Sequence, residues 1–325
     1  MRTMICGLVA ALGVLLPASE AASQPNYPEK PVRMLVGFPA GGPSDIVARL
    51  VSDRLSESLG KPVVVEVVTG AGGNIATERV AKAAPDGHTL LMATSGMIVV
   101  NPSLYPKLPF DPIKDLVPIF EVCFQPNFLV VHKDVPAKNL EELVALARAQ
   151  PGKLTFASGG VGTSNHLAGE LFKSMAGIDI QHVPYRGVTV AVPDLLAGRI
   201  NMAFLGAPVA LPLVRDGRLR AFAVSSLKRS PAAPDLPTMA EQGFSGFDAT
   251  AWYALMAPAG TAQEIIERLQ REMAKILVQP DLRKKLDDQG MELVNVTPAQ
   301  LADAIRSEAL TWAKVVREAG IKAGE

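Results

Sequence analysis

Strand and helix patterns alternate along the chain from about residue 30, and this alternation constrains the fold more than any other feature. The apolar segment 32–38 predicts a buried strand, and segment 45–59 carries apolar residues at helical spacing. A β-branched strand at 62–68, a helix at 74–84 and a strand at 89–93 repeat the pattern. Helices between consecutive strands imply βαβ units, so the sequence predicts an α/β fold with largely parallel sheets.

A second series of the same kind starts near residue 127. Its predicted strands are 127–131, 155–157, 180–184, 200–205 and 219–225, and its predicted helices are 140–150, 167–176 and 192–197. Helices are also predicted at 262–278, 280–288 and 298–319. The two series indicate two α/β lobes, with the C-terminal helices packed on the first. We predict that residues 23–122 and 250–325 form lobe 1 and residues 123–249 form lobe 2, joined by extended segments.

The N-terminal residues have the layout of a secretory signal peptide. Arg2 precedes an apolar run at 4–16, and small residues follow at 17–22. The run is shorter than the roughly 20 residues of a membrane span. We therefore expect residues 1–22 to be a signal peptide of an exported protein, cleaved within one or two residues of Ala21. Its removal leaves Cys123 as the only thiol, so no internal disulfide is expected.

Composition excludes several classes of protein. The 325 residues contain 32 Lys and Arg against 32 Asp and Glu, and aromatic residues are 5%. A neutral chain with few aromatics lacks the charge and the stacking surfaces of a nucleic-acid-binding protein. Its four histidines have no metal-ligand spacing, and it lacks the dinucleotide, phosphate-loop and nucleophile-elbow motifs. We expect no metal, no cofactor and no catalytic residues.

Glycine-rich turns carry most of the chemical information. Residues 38–45 (FPAGGPSD) and 157–166 (ASGGVGTSNH) each follow a strand and open a helix, and 70–74 (GAGGN) is a third such turn. Free N–H groups at a helix start form an anion site without any basic side chain. The alternative is that these are ordinary tight turns between strands and helices. His166, behind the second glycine turn, and Arg186, at a strand end, are further candidates for ligand contacts.

Several segments, taken in order and spacing, make the sequence recognisable. They are 38–45, 70–75 (GAGGNI), 83–90 (AAPDGHTL), 101–105 (NPSLY), the turn that ends at His166, 183–187 (VPYRG) and 229–231 (RSP). The mature chain closely resembles the Bug family over nearly its whole length. Proteins of that family are the substrate-binding components of tripartite tricarboxylate transporters.

The resemblance implies a periplasmic binding protein of two lobes, the Venus flytrap fold, that closes on a small organic carboxylate. It further implies delivery to the membrane components of the transporter, and we expect a monomer. Carried over, the ligand-binding residues are Pro39, Ala40, Gly41, Gly42, Thr94 and Ser95 in lobe 1, and Ser158, Gly159, Thr163, Ser164, His166, Arg186 and Gly206 in lobe 2.

Two departures from the family pattern bear on the ligand. Gly159 stands where a serine is expected, and 205–207 (LGA) stands where many relatives carry an acidic residue. An acidic residue there would suit a ligand amine, so we expect an acid with an apolar or aromatic distal part rather than an amino acid. Two other functions stay open from sequence, a periplasmic sensor that serves a histidine kinase and an exported α/β hydrolase.

Overall fold

The structure, a computed structural model, describes residues 27–105, 107–185, 187–294, 296–318 and 320–321. The predicted signal peptide lies outside these residues. The strands are β1 (Val32–Val36), β2 (Val63–Val67), β3 (Thr89–Thr94), β4 (Leu116–Gln125), β5 (Asn127–His132), β6 (Thr155–Ser158), β7 (Gln181–Pro184), β8 (Met202–Gly206), β9 (Leu219–Val224) and β10 (Ala251–Pro258). The helices are α1 (Pro43–Leu59), α2 (Asn74–Ala81), α3 (Asn101–Leu104), α4 (Leu140–Ala149), α5 (Ser164–Ala176), α6 (Val192–Leu196), α7 (Ala207–Arg215), α8 (Gln263–Leu277), α9 (Pro280–Asp288) and α10 (Pro298–Glu318).

Two mixed sheets of five strands each form the centres of two lobes, which confirms the predicted fold class. The first sheet has the order β2-β1-β3-β10-β4, and the second has the order β7-β6-β8-β5-β9. In each sheet four strands run in the same direction, and the one strand that enters from the other lobe, β10 in the first sheet and β5 in the second, runs antiparallel to them. The carboxyl ends of the parallel strands therefore lie at the edge of each sheet that faces the other lobe.

Two chain crossings join the lobes at that same edge. Strand β4 ends at Gln125, and β5 of the second sheet begins at Asn127. The return crossing leads into β10, which pairs with both β3 and β4 of the first sheet. The lobe boundaries at 122/123 and 249/250 stay a prediction.

Local sequence explains why the main elements form. Helix α1 buries one apolar stripe that includes Val47, Val51 and Leu55, and Gly60 ends it with a φ of 69°. Helix α7 is missing from the sequence-based assignment because prolines stand at its second position and at Pro212 inside it. Within the described residues, no helix has the length and apolar character needed to cross a bilayer.

The buried apolar core continues from one lobe into the other. One cluster of buried side chains contains Leu91 and Met97 of the first lobe together with Phe156 and Phe204 of the second. Helix α10 packs on β4 and α3 of the first lobe and also touches α5 of the second. The lobes therefore lie in direct apolar contact beside the cleft.

Candidate functional site

The glycine turns of the two lobes meet across a narrow gap. A cavity of about 20 Å³ is lined by Phe38, Gly72, Gly96 and Asn101 from the first lobe and by Val161, Gly162 and Thr163 from the second. A Cβ atom at Gly96 would lie 3.0 Å from the carbonyl oxygen of Gly162. The gap has room for about one water molecule. An organic acid can therefore enter this gap only when the lobes move apart.

The backbone amides of the glycines in the first turn already donate hydrogen bonds within the lobe. Gly41 N–H donates to Asp45 Oδ2 at 2.9 Å, and Gly42 N–H donates to the Pro39 carbonyl at 3.2 Å. Burial opposes ionisation of Asp45, but hydrogen bonds from Arg49 and the Gly41 N–H outweigh it and hold the pKa of this carboxyl below its usual range. Pro39, Ala40 and Gly41 are exposed.

The second turn is arranged in the same way. The Gly159 N–H donates to Asn165 Oδ1 at 3.2 Å, the Gly160 N–H to Ser158 Oγ at 3.0 Å, and the Gly162 N–H to His166 Nδ1 at 3.2 Å. Thr163 Oγ1 donates to the Gly160 carbonyl at 2.7 Å. These glycines therefore shape the turn, and their amides are engaged inside the lobe.

The starts of α1 and α5 supply the donors that the glycines do not. Neither helix has a side-chain cap, and α1 begins with a proline, which has no N–H. The amides of Ser44 and Asp45 in α1, and of Ser164, Asn165 and His166 in α5, meet no acceptor in the described part of the chain. Each lobe thus presents a helix start with unpaired N–H groups and the positive end of the helix dipole.

A buried stack of rings supports the second turn from behind. His182 Nε2 lies 2.6 Å from Ser158 Oγ, and its ring stacks on Phe156 at 4.9 Å between centroids. Its centroid is 4.1 Å from that of His166. Burial lowers the pKa of His166 to about 3 and that of His182 to about 4, so both rings are neutral at pH 7. His182 was missed from sequence, because only the parallel pairing of β6 with β7 brings it beside Ser158.

The remaining predicted residues lie in different surroundings. Thr94 ends β3, Ser95 follows it, and both are buried. Ser158 is fully buried behind its turn. Arg186 lies outside the described residues. The ligand-binding assignments of the predicted residues stay predictions, whereas Gly72, Gly96 and Asn101 line the cavity without having been assigned. The third glycine turn contained Gly72 and segment 101–105 contained Asn101, whereas no motif in the sequence marked Gly96.

Gly206 ends β8 at the crossing between the lobes. A Cβ at this position would lie 3.1 Å from Gln125 Nε2, and that amide donates to the Gln289 carbonyl at 3.0 Å. The neighbouring Gly290, with a φ of 63°, approaches Ala207 so closely that its own Cβ would lie 2.5 Å from the Ala207 Cβ. Gln125 therefore occupies the space into which a longer side chain at 206 would project.

A larger cavity, of about 440 Å³, lies between α10, β4 and the segment after β9. Four carboxylates line it: Glu121, Asp248, Glu292 and Glu308. Burial raises the pKa of each of these carboxyl groups. The pKa of Glu121 rises to about 7, because the negative charge of Glu308 adds to the effect of burial. Glu308 accepts a hydrogen bond of 2.9 Å from Trp252 Nε1.

The raised pKa of Glu121 predicts a pH-dependent stability. The folded protein holds this proton up to about pH 7, whereas the unfolded chain releases it near the ordinary glutamate pKa of 4.5, so stability is lost as pH rises through that window. Glu121→Gln should resemble the wild type at pH 5 and exceed its unfolding free energy by on the order of 2 kcal/mol at pH 8. Urea titrations at both pH values measure this. Glu57→Gln, at a side chain 71% exposed, is the control. An equal gain at pH 5 and pH 8 would contradict the assignment.

Two α/β lobes joined by two crossings, with helix starts that face each other over a cleft, define a binding protein of the periplasmic type. The family model "Tripartite tricarboxylate transporter family receptor" matches residues 47–321. Protein BugT of Bordetella pertussis is 40% identical over 319 residues, which covers 97% of this chain and 98% of that protein. The chain belongs to the tripartite tricarboxylate transporter receptor family, to which the Bug proteins also belong.

Two solved structures show the same fold. "R. palustris Rpa4515 with adipate" is 35% identical, with a TM-score of 0.81, and the match covers 91% of this chain and 99% of that one. MatC (Rpa3494) from Rhodopseudomonas palustris with bound malate is 33% identical, with a TM-score of 0.78, and the match covers 89% of this chain and 100% of that one. Both relatives were solved with a carboxylate, adipate in the first and malate in the second.

Proposed function

We propose that this chain is a periplasmic solute-binding protein that captures a small carboxylate between its lobes. It reaches the periplasm through its signal peptide and delivers the ligand, as a monomer, to the membrane components of a tripartite tricarboxylate transporter. The observation that carries this proposal is the pair of uncapped helix starts, one from each lobe, at the facing edges of the two sheets.

The donors at these helix starts are sufficient in number. A hydrogen bond to an ionised group contributes about 1.5–3 kcal/mol, and micromolar affinity requires about 8 kcal/mol. Bonds to all five unpaired amides would contribute about 7.5–15 kcal/mol before desolvation and ordering costs are subtracted, a range that includes the required value. A carboxylate that bonds to α1 and α5 together stabilises the closed state by contacts that the open state lacks. The adipate and the malate of the two solved relatives support the carboxylate class.

The Ser158–His182 pair is the observation that favours a hydrolase. A serine 2.6 Å from a histidine has the geometry of an activated nucleophile. Ser158 is fully buried, however, and its Oγ also accepts the Gly160 N–H. A substrate carbonyl has no approach to this hydroxyl, so we assign the pair a structural role in the turn.

The experiment has two parts. Mass spectrometry of small molecules released from the purified protein should find a carboxylic acid, and calorimetry should show its binding at one site without turnover. Titration of an amino acid against its deaminated analogue tests the ligand preference, and the analogue should bind more tightly. A released molecule without a carboxylate would contradict the proposed function, whereas tighter binding of the amino acid would contradict only the preference.

A further inference from the structure

Asn101 lines the cavity between the lobes and is absent from the assigned ligand contacts. It is the first residue of α3 and is 3% exposed. A Cβ at Gly162 of the opposite lobe would lie 3.7 Å from Asn101 Oδ1. This side chain therefore faces the second glycine turn from the first lobe.

Two neighbouring acceptors fix the orientation of the Asn101 amide. Its Nδ2 donates to the Gly72 carbonyl at 3.0 Å and to Asn74 Oδ1 at 2.7 Å. An amide nitrogen has two hydrogens, so these bonds use both. The Oδ1 atom lies 3.5 Å from a Cβ built at Gly72 and 3.7 Å from one built at Gly162, so it stands between the two turns, and no residue in the described ranges donates to it.

Asn101 Oδ1 is a hydrogen-bond acceptor, whereas the helix starts offer hydrogen-bond donors. The amides of α1 and α5 are donors, which suit a carboxylate, whereas Oδ1 is an acceptor and requires a donor. We infer that Asn101 Oδ1 accepts a hydrogen bond from a hydroxyl group of the bound acid, so the site selects hydroxy acids over the same acids without the hydroxyl. This inference rests on the proposed function. An acid without the hydroxyl leaves a buried acceptor unpaired, and that loss opposes binding.

Pairs of acids that differ in one hydroxyl test the inference by calorimetry: lactate and propionate, malate and succinate, mandelate and phenylacetate. For each pair that binds, the hydroxy acid should bind the wild type about tenfold more tightly or better. Asn101→Ala should reduce that preference to within about twofold. Ser103→Ala removes a polar group from the same helix outside the cavity, and it should retain the preference.

The outcomes separate this inference from the proposed function. Wild-type protein that binds both members of a pair equally, or a preference that persists in Asn101→Ala, would overturn the inference alone. Wild-type protein that binds none of the six acids would overturn the inference, and it would overturn the proposed function as well if the purified protein releases no carboxylic acid. Should Asn101→Ala fail to fold by circular dichroism, a crystal structure of the wild type with the preferred acid decides. The hydroxyl oxygen should lie within hydrogen-bond distance of Asn101 Oδ1, and a hydroxyl directed elsewhere would overturn the inference.

Discussion

Gly96→Val is expected to weaken carboxylate binding by on the order of a hundredfold while the unliganded protein keeps its melting temperature within about 2 °C. Gly96 lies outside the left-handed region, so a side chain causes no backbone strain at this position. The first atom of that side chain meets the Gly162 carbonyl oxygen of the opposite lobe at 3.0 Å. This overpacking destabilises the closed state by about 1–3 kcal/mol and leaves the open state unaffected.

Substitutions of different size at Gly96, with a control elsewhere, test whether the loss of affinity comes from the clash between the lobes. Gly96→Ala should show a smaller loss than Gly96→Val, and Ala145→Val, at an exposed position of helix α4, should show none. Calorimetry measures affinity, and small-angle scattering with ligand reports whether the lobes close. Normal affinity of Gly96→Val would show that ligand capture does not need this contact. Gly41→Val is expected to have a smaller effect, since its Cβ meets nothing and only its φ of 78° opposes the substitution.

Ser164→Pro is expected to reduce affinity about tenfold or more relative to Ser164→Ala, because it removes one backbone donor aimed at the cleft. Proline is well tolerated at the first position of a helix. Thr163, the preceding residue, has φ −73° and ψ 156°, which is the extended conformation that a following proline requires. The helix itself should therefore remain intact.

The two Ser164 variants isolate the amide from the hydroxyl. Both lose the side-chain oxygen, and only the proline variant loses the N–H. Circular dichroism checks that α5 is retained, and calorimetry gives the affinities. Equal affinities for the two variants would show that this amide makes no contact with the ligand.

The alternation of apolar patterns was sufficient to predict both lobes, because residues that recur at helical spacing, such as Val47, Val51 and Leu55, are buried on one face. Gly60 and Gly177 end α1 and α5 in the left-handed conformation, as expected of helix-ending glycines. Antiparallel pairing of β10 between β3 and β4 was beyond such reasoning, because pairing depends on where the chain returns from the other lobe.

The glycine turns were also identified from sequence, but the backbone amides that remain free to bind a ligand were not. Gly159 was predicted to contact the ligand, but its amide donates to Asn165, and the Gly162 amide donates to His166. Such bonds depend on side-chain directions at the start of α5, which residue spacing does not specify. Asn101 was missed for a related reason, since its contact with Gly162 crosses from one lobe to the other.

The decisive observation is a crystal structure of the protein with its bound acid. The carboxylate oxygens should lie within hydrogen-bond distance of amides at the starts of both α1 and α5, and Gly96 and Gly162 should lie close together across the cleft. An acid bound by one lobe alone, or lodged in the cavity beside Trp252, would contradict this arrangement.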